Sequence, residues 1–166
     1  MSVSTAAFYK AIVTAWKNSG LDDLFKALWS DPTSTEYLVL NDQLALGGQP
    51  FPFCVMEVVS PTTTDRMSGG VHALREIRDI TVNFNLHARD VDGDTRTNKE
   101  IAAYLAEEVM KVFGGHPTQS PSAVIQLENG NHLITRYDND YSIRTGDEET
   151  QWVLVFTFRI DTPVAV

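Results

Sequence analysis

From Arg75 onward, hydrophobic and polar residues alternate, with Ile80, Val82, Phe84, Leu86 and Ala88 on one side and Thr81, Asn83, Asn85 and His87 on the other. Successive strand side chains point to opposite faces, so this pattern predicts an exposed-edge strand with one buried and one wetted face. A tight acidic turn, Asp90-Val91-Asp92-Gly93-Asp94, follows. Thr97-Asn98-Lys99-Glu100 then has the form of a capping box, in which Thr97 accepts from the Glu100 amide while Glu100 reaches back to the Thr97 amide. A helix is predicted from about Asn98 to Phe113. Its apolar stripe is Ile101, Ala102, Leu105, Val109, Val112 and Phe113, and Gly114-Gly115 followed by Pro117 stops it.

The same reading extends to both sides. Residues 5 to 18 carry Phe8, Ile12 and Trp16 at helical spacing, with Ala11 and Ala15 beside them and Gly20 as a stop. A second helix is expected from Leu21 to Trp29, ended by Asp31-Pro32 because proline cannot continue the ladder. Tyr37 to Leu40 reads as a short strand. The Pro50-Phe51-Pro52 segment leads into a strand from Phe53 to Val59. Residues 60 to 74, rich in Ser, Thr and Gly, read as a long connection of a kind that is usually functional.

The C-terminal third reads as β. Ala123 to Glu128, the Asn129-Gly130 turn and Asn131 to about Tyr137 form an expected hairpin that continues through Tyr141 to Arg144. After an acidic turn at 146–149, Trp152, Leu154, Phe156, Phe158 and Ile160 alternate along the last strand. Residues 152 to 156 are all apolar, which predicts a central strand covered on both faces. The order of elements gives an α+β class: a mainly antiparallel or mixed sheet with helices packed chiefly on one face, in one domain spanning 1–166.

Composition narrows the classes of function. The 166 residues are 43% hydrophobic, an ordinary share for a globular protein. No apolar run approaches the roughly 20 residues that span a bilayer. Met1 to Thr5 has no signal-peptide pattern, and the single cysteine, Cys54, excludes an intrachain disulfide. A soluble cytosolic domain is the expectation. The net charge of −9, from 13 basic and 22 acidic residues, argues against direct nucleic-acid binding, which needs clustered cations. Ordinary acidic solubility accounts for such a charge, and so does a need to let DNA slide past without sticking.

The candidate chemistry is sparse. Asp90-x-Asp92-Gly93-Asp94 invites a calcium-loop reading, but counting from Asp90 places glycine at position 4 and Ile101 at position 12, where the loop needs its glutamate. A strand-to-helix turn is the better account. His72, His87, His116 and His132 are scattered, Cys54 reads as a small buried hydrophobe, and Gly47-Gly48 and Gly69-Gly70 lack a phosphate-loop context. No catalytic, cofactor or metal residues are assigned. Arg75, Glu76, Arg78 and Asp79 form a mixed-charge cluster where the long connection enters its strand. Together with Asp65, Arg66 and Met67 within that connection, they are the candidate subunit or tube interface, or a lumen loop.

The run Pro50-Phe51-Pro52-Phe53, the Ser/Thr/Gly-rich stretch, Arg75 to His87, the acidic turn and the helix ending in Phe113-Gly114 resemble the tail-terminator and tail-completion proteins of tailed bacteriophages and prophages. The resemblance covers roughly residues 3 to 160 and rests on element order and texture. It implies a small α+β subunit that assembles as a ring, commonly hexameric, on the end of the tail tube. The implied partners are the tail tube protein and the head–tail connector proteins, with DNA passing through without specific binding and no membrane involved. The implied location is the virion tail or neck, after assembly in the host cytoplasm. Two other readings stay open: a small metal-assisted hydrolase using Asp90, Asp92, Asp94 and a histidine, and an α+β ligand-binding domain with a pocket around Trp152 and Phe84.

Overall fold

The computed structural model describes residues 5–42, 47–68, 74–114, 125–126, 132–144, 146 and 148–164. In chain order these form α1 (Thr5–Asn18), α2 (Leu21–Lys26), β1 (Leu40–Asn41), β2 (Phe53–Ser68), β3 (Leu74–Arg89), α3 (Asn98–Phe113), β4 (Ile125–Gln126), β5 (His132–Arg144) and β6 (Glu149–Val164). The protein is α+β. Its six-stranded mixed sheet has the order β1-β2-β3-β6-β5-β4. Only β1 against β2 is parallel; the other pairings are antiparallel.

The alternation read from the sequence sets the layers. Ile80, Val82, Phe84, Leu86 and Ala88 of β3 are fully buried, as are Leu154, Phe156 and Phe158 of β6. Across from them lie Phe8, Ile12 and Trp16 of α1, Leu21 and Phe25 of α2, and Ile101, Leu105, Val109 and Phe113 of α3, in one core cluster. Aromatic rings form its centre. Phe113 stacks on Phe84 with ring centroids 4.9 Å apart, Trp16 stacks on Phe84 at 5.8 Å, and Phe8 meets Phe158 edge-on at 5.6 Å. Such ring contacts add about 0.5–1.5 kcal/mol each beyond the burial of their area.

The helix boundaries follow from local chemistry. At α3 both halves of the capping box form: Thr97 Oγ1 accepts from the Glu100 amide at 3.3 Å, and Glu100 Oε2 accepts from the Thr97 amide at 2.7 Å. Asp90 Oδ1 accepts from the Asn98 amide at 2.7 Å, so the acidic turn satisfies a further end-group donor. The α3 end is set by Gly114, whose φ of 78° suits glycine and whose amide donates to the Met110 carbonyl at 2.9 Å. The α2 helix is shorter than expected and closes at Lys26. Turns then carry the chain to Trp29, whose Nε1 donates to the Pro52 carbonyl at 2.8 Å and so ties this region to the start of β2.

Three expectations need correction. The stretch 60–74 is not a long loop: β2 runs unbroken to Ser68, and 69–73 lie outside the described residues. Threonine-rich sequence favours a pleated strand once a partner is present, and β3 supplies that partner with Cα pairings from Thr62↔Asp79 to Ser68↔Leu74. Next, β3 is not an edge strand, because it is hydrogen-bonded to β2 on one side and β6 on the other. Alternation reports which faces are buried and says nothing about lateral neighbours. Finally, of Tyr37 to Leu40 only Leu40 is in a strand, the two-residue β1 that it forms with Asn41.

The C-terminal expectations largely hold. The hairpin forms with Ile125↔Leu133 and Gln126↔His132, and its Asn129-Gly130 turn lies outside the described residues. The last strand is central, between β3 and β5. On its face away from the helices Val153 is buried, while Gln151 and Val155 are half-buried, so cover on that side is partial.

Strand length decides the shape of the sheet. β2, β3 and β6 each have 16 residues, roughly 53 Å at the usual rise per residue. The 16 residues of α3 span only about 24 Å. Phe8, Trp16 and Phe113 place α1 and α3 over the rows from Ile80 to Ala88. Past the Ile80↔Phe158 row, β3 and β6 continue for six more rows, from Asp79↔Arg159 to Leu74↔Val164. β5 still accompanies the first two of these rows, at Arg159 and Ile160, and with β2 alongside the last four make a three-stranded arm.

Substituting Phe113→Ala is expected to cost about 3–5 kcal/mol in denaturant melts, because it empties the centre of the aromatic cluster. Thr97→Ala is expected to cost about 1 kcal/mol through loss of the cap. In hydrogen exchange, amide protection along β3 should fall from Ile80 toward Leu74; uniform protection would place the arm inside the packed body.

Candidate functional site

The seven residues singled out in the sequence are brought together. Cα pairings join Asp65 with Ile77, Arg66 with Glu76 and Met67 with Arg75, while Arg78 faces Thr63 and Asp79 faces Thr62. Asp65, Arg66, Met67, Arg75 and Glu76 therefore lie on the arm, and Arg78 and Asp79 at its root, where β5 still pairs with β6. The β6 strand adds its own pairings on the other side of β3, with Arg75↔Pro163, Glu76↔Thr162 and Arg78↔Ile160.

Asp79 marks where the arm leaves the body. Its carboxylate accepts two hydrogen bonds from Arg159, Nε to Oδ1 at 2.8 Å and Nη2 to Oδ2 at 2.9 Å. This fork-to-fork geometry fixes orientation as well as supplying attraction. The Arg159 side chain is half exposed, so the pair contributes on the order of 1 kcal/mol or less. Arg159 was not singled out from the sequence. It stands 80 positions from Asp79, and nothing local to the last strand signals the match.

The sheet face opposite the helices carries a second group of polar side chains. Phe53, level with His87, stacks on its ring at 4.7 Å, and Phe51 packs edge-on against Phe53 at 4.9 Å. The Arg89 guanidinium sits 3.9 Å from the Phe51 ring centroid, a cation–π contact. Glu149 bridges this group, with Oε1 3.2 Å from His87 Nδ1 and Oε2 accepting from Arg89 at 3.3 Å. Farther along, Asn85 donates to Glu57 at 3.2 Å. These contacts tie β2, β3 and β6 together across their wetted side.

Of the residues weighed for chemistry, Asp90, Asp94 and His87 are engaged in structure, and His72 and His116 lie outside the described residues. Asp90 caps α3. Asp94 holds Arg96 through both oxygens, at 3.0 and 2.6 Å, and this pairing lowers its carboxyl to about 2 from an ordinary value of 3.8. Its stabilising contribution is therefore complete above the ordinary value and is lost as pH falls through 3.8 toward 2. Among the described residues no group of three His, Cys, Asp or Glu side chains is placed to hold a metal ion. Phe84 lies inside the aromatic core rather than beside a cavity, and the Trp152 Nε1 donates to Asp140 at 2.8 Å.

One small cleft, of about 150 Å³, lies between α1 and the segment before β1, lined by Tyr9, Val13, Trp16, Lys17, Asp22, Leu38, Val39, Leu40 and Asp42. Burial and a hydrogen bond with Asp42 push the Tyr9 hydroxyl up to about 12, so it stays protonated across the working range of most enzymes. Trp16 Nε1 donates to Asp22 at 2.7 Å in the same place. The arrangement pins α1 to α2 and to the residue that follows β1. No known family model matches the chain, and no curated protein matches it.

Cys54 is fully buried, and burial pushes its thiol well above the ordinary value of 9.0. Reaction with a water-soluble thiol reagent at pH 8 should proceed only as fast as the protein opens. Fast stoichiometric labelling of the folded chain would contradict this burial.

Proposed function

We propose that this chain is a structural subunit of a phage tail, of the tail-terminator or tail-completion kind, and not an enzyme. In this reading copies assemble as a ring, hexameric by the resemblance, on the end of the tail tube, where they end tube growth and help join tail to head. The observation that carries the reading is the three-stranded arm, which with its root gathers the mixed-charge residues of two neighbouring segments on one projection of the sheet. A ring needs a heterologous contact, in which one patch of each subunit meets a different patch on the next. Mixed charges on an arm suit that task, because they set register and partner choice more than raw affinity.

Two further features support it. The net charge of −9 fits a ring through which DNA passes without adhering, since like charge opposes contact with phosphates. The polar and acidic side chains of the body serve as caps, turns and cross-strand ties, which is how a shape-holding subunit uses them. The partners in this reading are the tail tube protein and the head–tail connector proteins. The place of action is the tail or neck of the virion.

Size-exclusion with light scattering, run at high concentration and again with purified tail tubes, tests the reading. A discrete ring, free or on the tubes, is the expected result, and the double reversal Arg75→Glu with Arg78→Glu should abolish it while leaving the melt of the body unchanged. A monomer under both conditions would overturn the proposal.

A further inference from the structure

The sheet has two open edges. β1 pairs with β2 only at Cys54 and Val55, and β4 pairs with β5 only at His132 and Leu133. Among the described residues no strand lies on the outer side of β2, away from β3, from Met56 onward, or on the outer side of β5, away from β6, from Ile134 to Arg144. Unpaired edges present rows of backbone donors and acceptors that can take another strand. Both are also the places where apolar side chains are left in water. Of the five large hydrophobic residues exposed among those described, Val59 (55% exposed) is on β2, and Tyr141 (47%) and Ile143 (42%) are on β5.

The two edges are bounded in ways that leave short matching windows. On β2, β1 stops at Val55, and a register shift between Val58 and Ser60 comes just before Pro61, which has no amide hydrogen to offer, so Met56–Val59 is the open stretch. On β5 the irregularity between Tyr137 and Asn139 limits the other stretch to the residues up to Arg144. Interruptions of this kind prevent indiscriminate stacking of edges and favour one register. Strand polarity is compatible as well. The order β2-β3-β6-β5 alternates in direction, so β5 of one copy beside β2 of the next is again antiparallel.

We propose that β5 of one copy pairs with β2 of the next, Tyr141–Arg144 against Met56–Val59, so that the sheet continues from subunit to subunit. This deepens the ring reading and rests on it. The register sets Tyr141 opposite Val59 and Ile143 opposite Glu57. It keeps the faces matched: Ile143 is level with Gln151 and His87 on the helix-free side, where Glu57 also lies. A slip by one residue would turn every side chain to the wrong face. Within its own sheet Tyr141 is level with Val55, so the neighbour is displaced by about four residues, roughly 13 Å along the strands. That displacement carries β5 clear of β1. Edge strands of a second copy are the occupant because the two windows, on opposite sides of one sheet, satisfy each other and cannot do so within one chain.

Cysteine pairs in the full-length protein test it, with Cys54 retained because it is buried. Cβ atoms directly opposite in such a pair are about 4.5–5.5 Å apart, within reach of a short thiol cross-linker. Mixing Val59→Cys protein with Tyr141→Cys protein should give a cross-linked dimer that neither forms alone. The double variant V59C/Y141C should give a ladder ending at the ring number. Glu57→Cys with Ile143→Cys, two solvent-side positions, should behave the same way and checks the register. A ring seen by light scattering with no cross-link at either pair would overturn the edge pairing and leave the ring reading standing. A monomer with and without tail tubes, again without cross-links, would overturn both.

Discussion

The structure depends on β3 being paired with β6 along its whole length and with β2 from Leu74 to His87. From Leu74 to Arg89 it pairs with β6 without a break, and it carries β2 on its other side. One half of this strand buries Ile80 to Ala88 beneath the helices, and the other half continues to Leu74 between β2 and β6. Core and arm are therefore one piece of sheet. An arm built this way is held at a fixed angle to the body by backbone bonds on three strands, which a flexible loop of the same composition would not provide.

The body supplies the rigidity. Phe84 meets Trp16, Phe113 and Phe156, so one side chain of β3 contacts α1, α3 and β6 at once. Packing at this density transmits displacement instead of absorbing it. On the opposite face the Phe51–Phe53–His87 stack and the Glu149 bridge tie the strands across their wetted side. The arm root is fixed by the Asp79–Arg159 fork. In a subunit whose proposed work is to meet copies of itself, the ionisable side chains are spent on caps, turns and cross-strand ties.

How much of this was legible in the sequence differed by element, for physical reasons. The limits of α3 were readable because Thr97, Glu100 and Gly114 act on their immediate neighbours, so the signal and the structure it causes lie within one turn. The buried side of β3 was readable because burial imposes its period directly on the chain. The strand character of 60–68 was not readable, because Pro61 and the threonines look like connection when the partner strand is out of view. The interior position of β3 was hidden for a related reason: alternation is the same for an edge strand and for a central strand with one face in water. The candidate interface residues were readable as a charge cluster, but their gathering on an arm depends on the β2–β3 register, and Arg159 enters only through the pairing with β6.

The central claim is that this sheet holds a shape whose purpose is assembly at the end of a tube. Electron microscopy of growing tail tubes, with and without the protein, tests it most directly by measuring tube length and the density at tube ends. The account predicts that added protein stops elongation and leaves a ring of subunits at one end. Tubes that lengthen unchanged with bare ends, at protein concentrations well above that of the ends, would contradict it.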